Sequence, residues 1–202
     1  MSSPQLAGSI DVRFARTAID RDQIFQLRHR VLRNNSRTEL AGLMESNSRL
    51  IESADCGADL LGAFDQQGRA LASLRRETID SMSAGGKLPQ VFRELTEKLA
   101  VNPALTTVSS RFIIDPGSPG GNLALRLFAC MLRVGVQEGL SHDFCCCDQR
   151  KFQWRLKLGY RKSGFFMQVG GMRQEILTLP ISRVENNSRP VVRLVRSSVV
   201  AA

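Results

Sequence analysis

The spacing of apolar side chains changes repeatedly along this chain, and each change predicts a new element. Asp11 to Thr17 alternates Val12, Phe14 and Ala15 with arginines and predicts a short strand. Asp20 is placed to cap a helix carrying Ile24, Phe25, Leu27, Val31 and Leu32 at helical spacing. A weaker helical stripe, Leu40, Leu43, Met44 and Leu50, predicts a second helix over 38–51. Ala58 to Phe64, the turn Asp65-Gln66-Gln67-Gly68 and Arg69 to Glu77 predict a β-hairpin. The polar, Gly-rich stretch 81–87 reads as a loop, and 91–99 as helical.

The second half is sharper. Thr106 to Asp115 reads as a strand that stops at Pro116-Gly117-Ser118-Pro119-Gly120-Gly121. Leu123, Leu127, Cys130, Met131, Val134 and Val136 mark a long helix over 123–140. The apolar run Phe144 to Cys147 reads as a buried strand. A helix over 149–158 stops at Gly159, and 165–169 with 175–179 form a closing hairpin. The order is β-α-α-β-β-(α)-β-α-β-α-β-β, an α/β domain over 1–182 followed by a polar, basic tail, 183–202.

At 202 residues and 43% hydrophobic, the chain can bury a full core, which excludes disorder. No apolar run approaches the roughly 20 residues of a membrane span. The first eight residues lack the order of a secretory signal, and five cysteines, three of them consecutive, suggest no disulfide framework. The expectation is a soluble, cytoplasmic protein.

The net charge of +9 is unevenly placed. Residues 1–125 carry 15 basic and 14 acidic side chains, 126–162 carry 8 and 3, and 183–202 carry 4 and 1. The basic excess thus belongs to the C-terminal part, where nucleic acid, a membrane surface or an acidic protein would each be attracted. One Tyr, one Trp and no recognisable binding motif argue against nucleic acid.

Chemistry is densest over Ser110–Tyr160. A strand, a Gly-rich loop and a long helix make an anion-binding corner, where loop and first-turn N–H groups point outward along the helix dipole. No Gly-Lys-Ser/Thr follows the glycines, which excludes a P-loop, and the spacing of a dinucleotide fingerprint is absent. With the second strand and the helix ending Leu158-Gly159-Tyr160, the chain resembles the GNAT acyltransferase superfamily. That resemblance implies a mixed, mostly antiparallel sheet with a splayed central parallel pair, flanked by helices on both faces. It places an acyl thioester's pantetheine arm against Phe112, Ile113 and Ile114, with its phosphate near Gly120, Gly121 and Asn122.

Leu27-Arg28-His29-Arg30-Val31-Leu32 and Ser110-Arg111-Phe112 are similar to motifs of the autoinducer synthases and of the long-chain N-acyl amino acid synthases. The same resemblance assigns Glu52, Asp55 and Arg75 to the site together with Arg28 and Arg111, with Asp59 an alternative acid. Where the autoinducer synthases carry a glutamate three residues before the strand arginine, this chain has Val108. Acyl transfer to the amine of an amino acid or similar molecule is therefore implied ahead of lactone formation, with acetyl-CoA-dependent transfer a further alternative. A non-catalytic basic binding module is the rival from another class. The donor would be acyl carrier protein or acyl-CoA, with no tightly bound cofactor and no metal.

Arg111 interrupts an apolar strand, so it needs a carboxylate or a substrate anion. An ion pair with Asp55, Glu52 or Glu77 and a clamp on an acceptor's carboxylate are compatible roles. Neither His29 nor His142 is expected to be a catalytic base. Cys145, Cys146 and Cys147 are expected to be packing residues, and Phe152 and Trp154 to be core or tunnel wall. Arg126, Arg150, Lys151 and Arg155, among the cations running to Lys162, make a candidate docking rim for the acidic acyl carrier protein.

Overall fold

The computed structural model describes residues 9–33, 43–86, 88–118, 122–147, 149–169 and 171–181. Their strands are β1 (Asp11–Phe14), β2 (Leu43–Ser46), β3 (Arg49–Glu52), β4 (Asp59–Phe64), β5 (Ala70–Thr78), β6 (Thr106–Ile114), β7 (His142–Cys147), β8 (Arg161–Val169) and β9 (Met172–Pro180). The helices are α1 (Ala18–Leu32), α2 (Ile79–Ala84), α3 (Gln90–Leu99), α4 (Leu123–Gln137) and α5 (Gln149–Leu158). Hydrogen bonding orders seven strands as β1-β4-β5-β6-β7-β9-β8, mostly antiparallel with β6–β7 parallel. Strands β2 and β3 pair separately. The chain divides into two compact units, residues 1–75 with 111–127, and 76–110 with 128–202.

In the first unit, β1 pairs antiparallel with β4, from Asp11↔Phe64 to Phe14↔Leu61. Ala15, Ile24, Leu27, Leu60, Phe64, Ala70 and Ile113 form its core, with Phe25, Val31 and Leu32 packed against it. The helix cap differs from the sequence reading. Thr17 is the N-cap, its Oγ1 accepting from the Asp20 N–H at 3.0 Å. Asp20 lies one turn inside, where its carboxylate favours the helix dipole and pairs with Arg13 at 2.7 Å.

The predicted helix over 38–51 is also corrected for the part described, since 43–52 form a two-stranded hairpin. Asn47 and Ser48 at the turn have φ of 47° and 61°, the pairing that a tight hairpin turn demands and a helix forbids. The hairpin β4–β5 forms as expected, its turn held by Asp65 Oδ1 accepting from the N–H groups of Gln67 and Arg69. At Gly62 a Cβ would lie 2.5 Å from the buried Phe64 ring and 3.3 Å from Ile24. Gly62→Ala is expected to cost about 1–3 kcal/mol through overpacking. A chemical-denaturation midpoint that did not move would contradict this.

In the second unit, Ile79, Phe92, Leu95, Val108, Phe144 and Ile176 form the core. Part of the predicted 81–87 loop is helix α2, because Thr78 caps it through Ser81 N–H at 3.1 Å and Ile79 anchors it. Strands β6 and β7 pair from Thr106↔His142 to Ser109↔Cys145. Helix α5 ends at Gly159, φ 111°, as its sequence predicts. The closing hairpin is longer than expected: β8 begins at Arg161, and Gly164, φ 77°, sits in an irregularity between Lys162 and Phe166 that breaks the apolar alternation.

Candidate functional site

The first unit gathers Arg28, Glu52, Asp55, Arg75 and Arg111 into one cluster. Arg28 comes from α1, Glu52 from the end of β3, Asp55 from the 3-10 turn Ser53–Cys56, Arg75 from β5 and Arg111 from β6. Asp55 Oδ2 accepts from Arg28 Nη1 at 2.6 Å and from the Glu52 backbone N–H at 2.7 Å, while its Oδ1 lies 3.5 Å from Arg75 Nη1. Glu52 accepts from Arg111 Nε at 2.8 Å and pairs also with Arg111 Nη2 and Arg75 Nη1. Of the three acids considered for Arg111, Glu52 is the one it grips.

The cluster is nearly closed. The side chains of Arg28 and Asp55 are 0% and 1% exposed, and Arg111 is the most open at 29%. Arg111 has φ of 51°, a left-handed conformation that a non-glycine residue adopts at a cost. It also ends the simple in-out alternation by which Ser110 and Phe112 would both face away from Arg111.

Electrostatics fix the protonation states. Burial acts to raise the Glu52 carboxyl, and the Arg111 hydrogen bond with the charges of Arg111 and Arg75 outweighs it, leaving a lowered pKa. Asp55 is lowered in the same way, burial being outweighed by Arg28 and the Glu52 N–H. Arg111 is raised by its bond to Glu52. Three guanidinium groups thus face two carboxylates, leaving one net positive charge with Arg111 as its accessible member. Such a site attracts an anion and offers no strong base.

Other predicted positions fall elsewhere. Ile113 is buried in the core, Phe112 and Ile114 are half-buried, and Asn122 is exposed with its carbonyl accepting from the Arg126 N–H at 2.9 Å. Gly120 and Gly121 lie outside the described residues, as do the side chains of Arg150 and Lys151. Arg126 is exposed and bonds the Ile10 carbonyl. Arg155 does not belong to a docking rim. It is 3% exposed, its guanidinium 4.2 Å from the Phe128 ring and bonded to Tyr160 Oη at 3.3 Å. A helical cation one turn before an aromatic-rich C-cap is drawn inward by stacking. His29 is buried and meets Glu45 at 3.0 Å, outside the cluster's bonds. Asp59 meets Arg16 at 3.8 Å. Among the described residues no group of three His, Cys, Asp or Glu is arranged to hold a metal.

Sequence reasoning missed a second polar cluster, around Asp143. This fully buried carboxylate accepts from Tyr160 Oη at 2.5 Å, Ser109 Oγ at 2.7 Å and Thr107 Oγ1 at 2.8 Å. Burial pushes its pKa up against the pull of those hydroxyls. The available signal was hydroxyls at alternate positions 107 and 109 on one strand, with an acid inside the next apolar strand.

No family model matches the sequence, and no curated protein matches it. Solved structures do. The AHL synthase LasI superposes with TM-score 0.67 at 14% identity, covering 86% of this chain and 91% of LasI. BjaI, a CoA-dependent acyl-homoserine lactone synthase solved with SAM and isopentyl-CoA, gives 0.66 at 18%, covering 90% and 82%. FeeM, an N-acyl amino acid synthase from uncultured soil microbes, gives 0.59 at 14%, covering 86% and 93%. An N-acetyltransferase from Staphylococcus aureus Mu50 also matches. At these identities the likeness is one of fold alone: this chain has a GNAT-like fold, common to the lactone synthases, the N-acyl amino acid synthase and the N-acetyltransferases it matches.

Proposed function

We propose that this chain is an N-acyltransferase that moves a fatty acyl group from an acyl thioester, carried by acyl carrier protein, to the amine of an amino acid or similar small molecule. The observation that carries the reading is the convergence of Arg28, Glu52, Asp55, Arg75 and Arg111 on the fold used by the acyl-transferring structures it resembles.

A thioester is already activated, so the protein must orient a neutral amine and stabilise an oxyanion. The net positive cluster suits an acceptor carboxylate, with Arg111 as the exposed arm. The same excess charge lowers the pKa of an ammonium beside it and so favours the nucleophilic free amine. Glu52 and Asp55, held ionised by arginines, are weak proton acceptors. Their role in this reading is to aim the guanidinium groups; the amine bonds to the thioester carbonyl carbon, the C–S bond breaks, and the amine's proton passes through water to the departing thiolate. Backbone N–H groups near Ile113 and Ile114 are the proposed oxyanion donors. Val108, where the resemblance to the autoinducer synthases would have a glutamate, lies in an apolar cluster, which favours simple amide formation over lactone formation. The basic excess over 126–162 supports an acidic carrier as donor.

Mass spectrometry of lipid extracts from expressing cells, and of purified protein given acyl carrier protein or CoA thioesters, tests this. A fatty acyl amide formed faster from the carrier is the expected product. Acetylated product alone, or no amide from either donor, would overturn it.

A further inference from the structure

Strand β8 ends the seven-stranded order, so one of its long edges pairs with no strand among the described residues. Among those residues six large apolar side chains are exposed, and three of them lie on the β8–β9 hairpin: Phe166 at 42%, Val169 at 36% and Met172 at 52%. Phe165 and Met167, their neighbours, pack against the apolar core, so the exposed three are the hairpin's surplus. Val169 and Met172 are cross-strand partners at its end, which makes them one patch. Phe166 lies under Arg173, whose guanidinium carbon is 4.0 Å from the ring centroid.

Charge completes the surface. Arg161 and Lys162 are exposed at the start of β8 and Arg173 near the turn, against one acid, Glu175, over residues 161–180. A second copy adding a strand is disfavoured by the irregularity between Lys162 and Phe166, which distorts the edge. An acidic protein would match the cations, but would have to bring an apolar patch of its own to cover Val169 and Met172. Interfacial lipid offers both phosphates and acyl carbon.

We propose that the outer edge of the β8–β9 hairpin docks on an anionic lipid surface. The hairpin end inserts, so that Val169 and Met172 on one face and Phe166 on the other enter the interfacial layer, and Arg161, Lys162 and Arg173 meet the phosphates. Docking does not require the acyl-transfer reading, although Arg161 and Lys162 also belong to the basic excess over 126–162 that supports the carrier there.

Flotation of the full chain with phosphatidylcholine vesicles, and with vesicles in which about a third of the lipid is phosphatidylglycerol, tests it. Binding to the anionic vesicles alone, released by salt, is expected. Each cation near such a surface is worth about fivefold in partitioning, so Arg161→Gln/Lys162→Gln/Arg173→Gln should bind about a hundredfold more weakly. Phe166→Ser/Val169→Ser/Met172→Ser should lose roughly tenfold or more, with melting unchanged because these side chains are exposed. Absence of binding to anionic vesicles, or equal binding by either triple variant, overturns the proposal. So does self-association in sedimentation that the serine variant abolishes while no vesicle binding is seen.

Discussion

Asp55→Ala is expected to lose about 3–5 kcal/mol of folding stability, the cost of stranding a buried guanidinium. Asp55 is the carboxylate bonded to Arg28, and Arg28 is wholly enclosed. Glu52 cannot replace it, being occupied by Arg111 and Arg75. The loss also frees the Glu52 N–H that Asp55 now accepts. Urea unfolding measures this directly. A second variant separates charge from packing: Arg28→Met/Asp55→Ala should recover most of the loss, since replacing both members of a buried pair by apolar groups is often near neutral. A single-variant loss below about 1 kcal/mol would mean that the pair is not held as described.

Acid should reproduce part of this effect. The Asp55 pKa is lowered from 3.8 in the folded chain, so its contribution is full above the unfolded value and disappears as pH falls through the folded one. Glu52 follows the same sign, from 4.5 downward. Stability should therefore fall below about pH 4, and Asp55→Asn should flatten that limb.

Arg111→Ala is expected to lower kcat/KM for acyl transfer by on the order of a hundredfold or more, with the fold retained. Glu52 would still hold Arg75, so no buried carboxylate is left alone. Arg111→Lys should rescue little, because an ammonium cannot supply the Nε and Nη2 fork that Glu52 now receives. The acceptor's KM should rise in both variants. Unchanged turnover would remove Arg111 from the site.

Much of this was legible in sequence for physical reasons that act locally. The strand over 106–115, the helix from Leu123 and the Gly159 stop follow from apolar period and backbone freedom, which need no distant partner. The β2–β3 hairpin was misread because Leu43, Met44 and Leu50 fit a helical stripe, whereas the turn at Asn47-Ser48 decides the matter through backbone conformation. Thr17 displaced Asp20 as cap because two capping side chains three residues apart compete for one helix start.

The sequence by itself determined the element order outside 43–52 and 79–84, the types of side chain available and the bias of charge toward the C-terminal part. Those depend on period, composition and turn chemistry. Only the tertiary structure decided which acid holds which arginine, since Glu52 and Arg111 stand 59 residues apart and meet through chain topology. It also decided that Arg111 adopts φ of 51° inside a strand and that Arg155 turns inward. Burial decided which charges act, because the same guanidinium is a solvated cation at the surface and a partner-demanding ion inside.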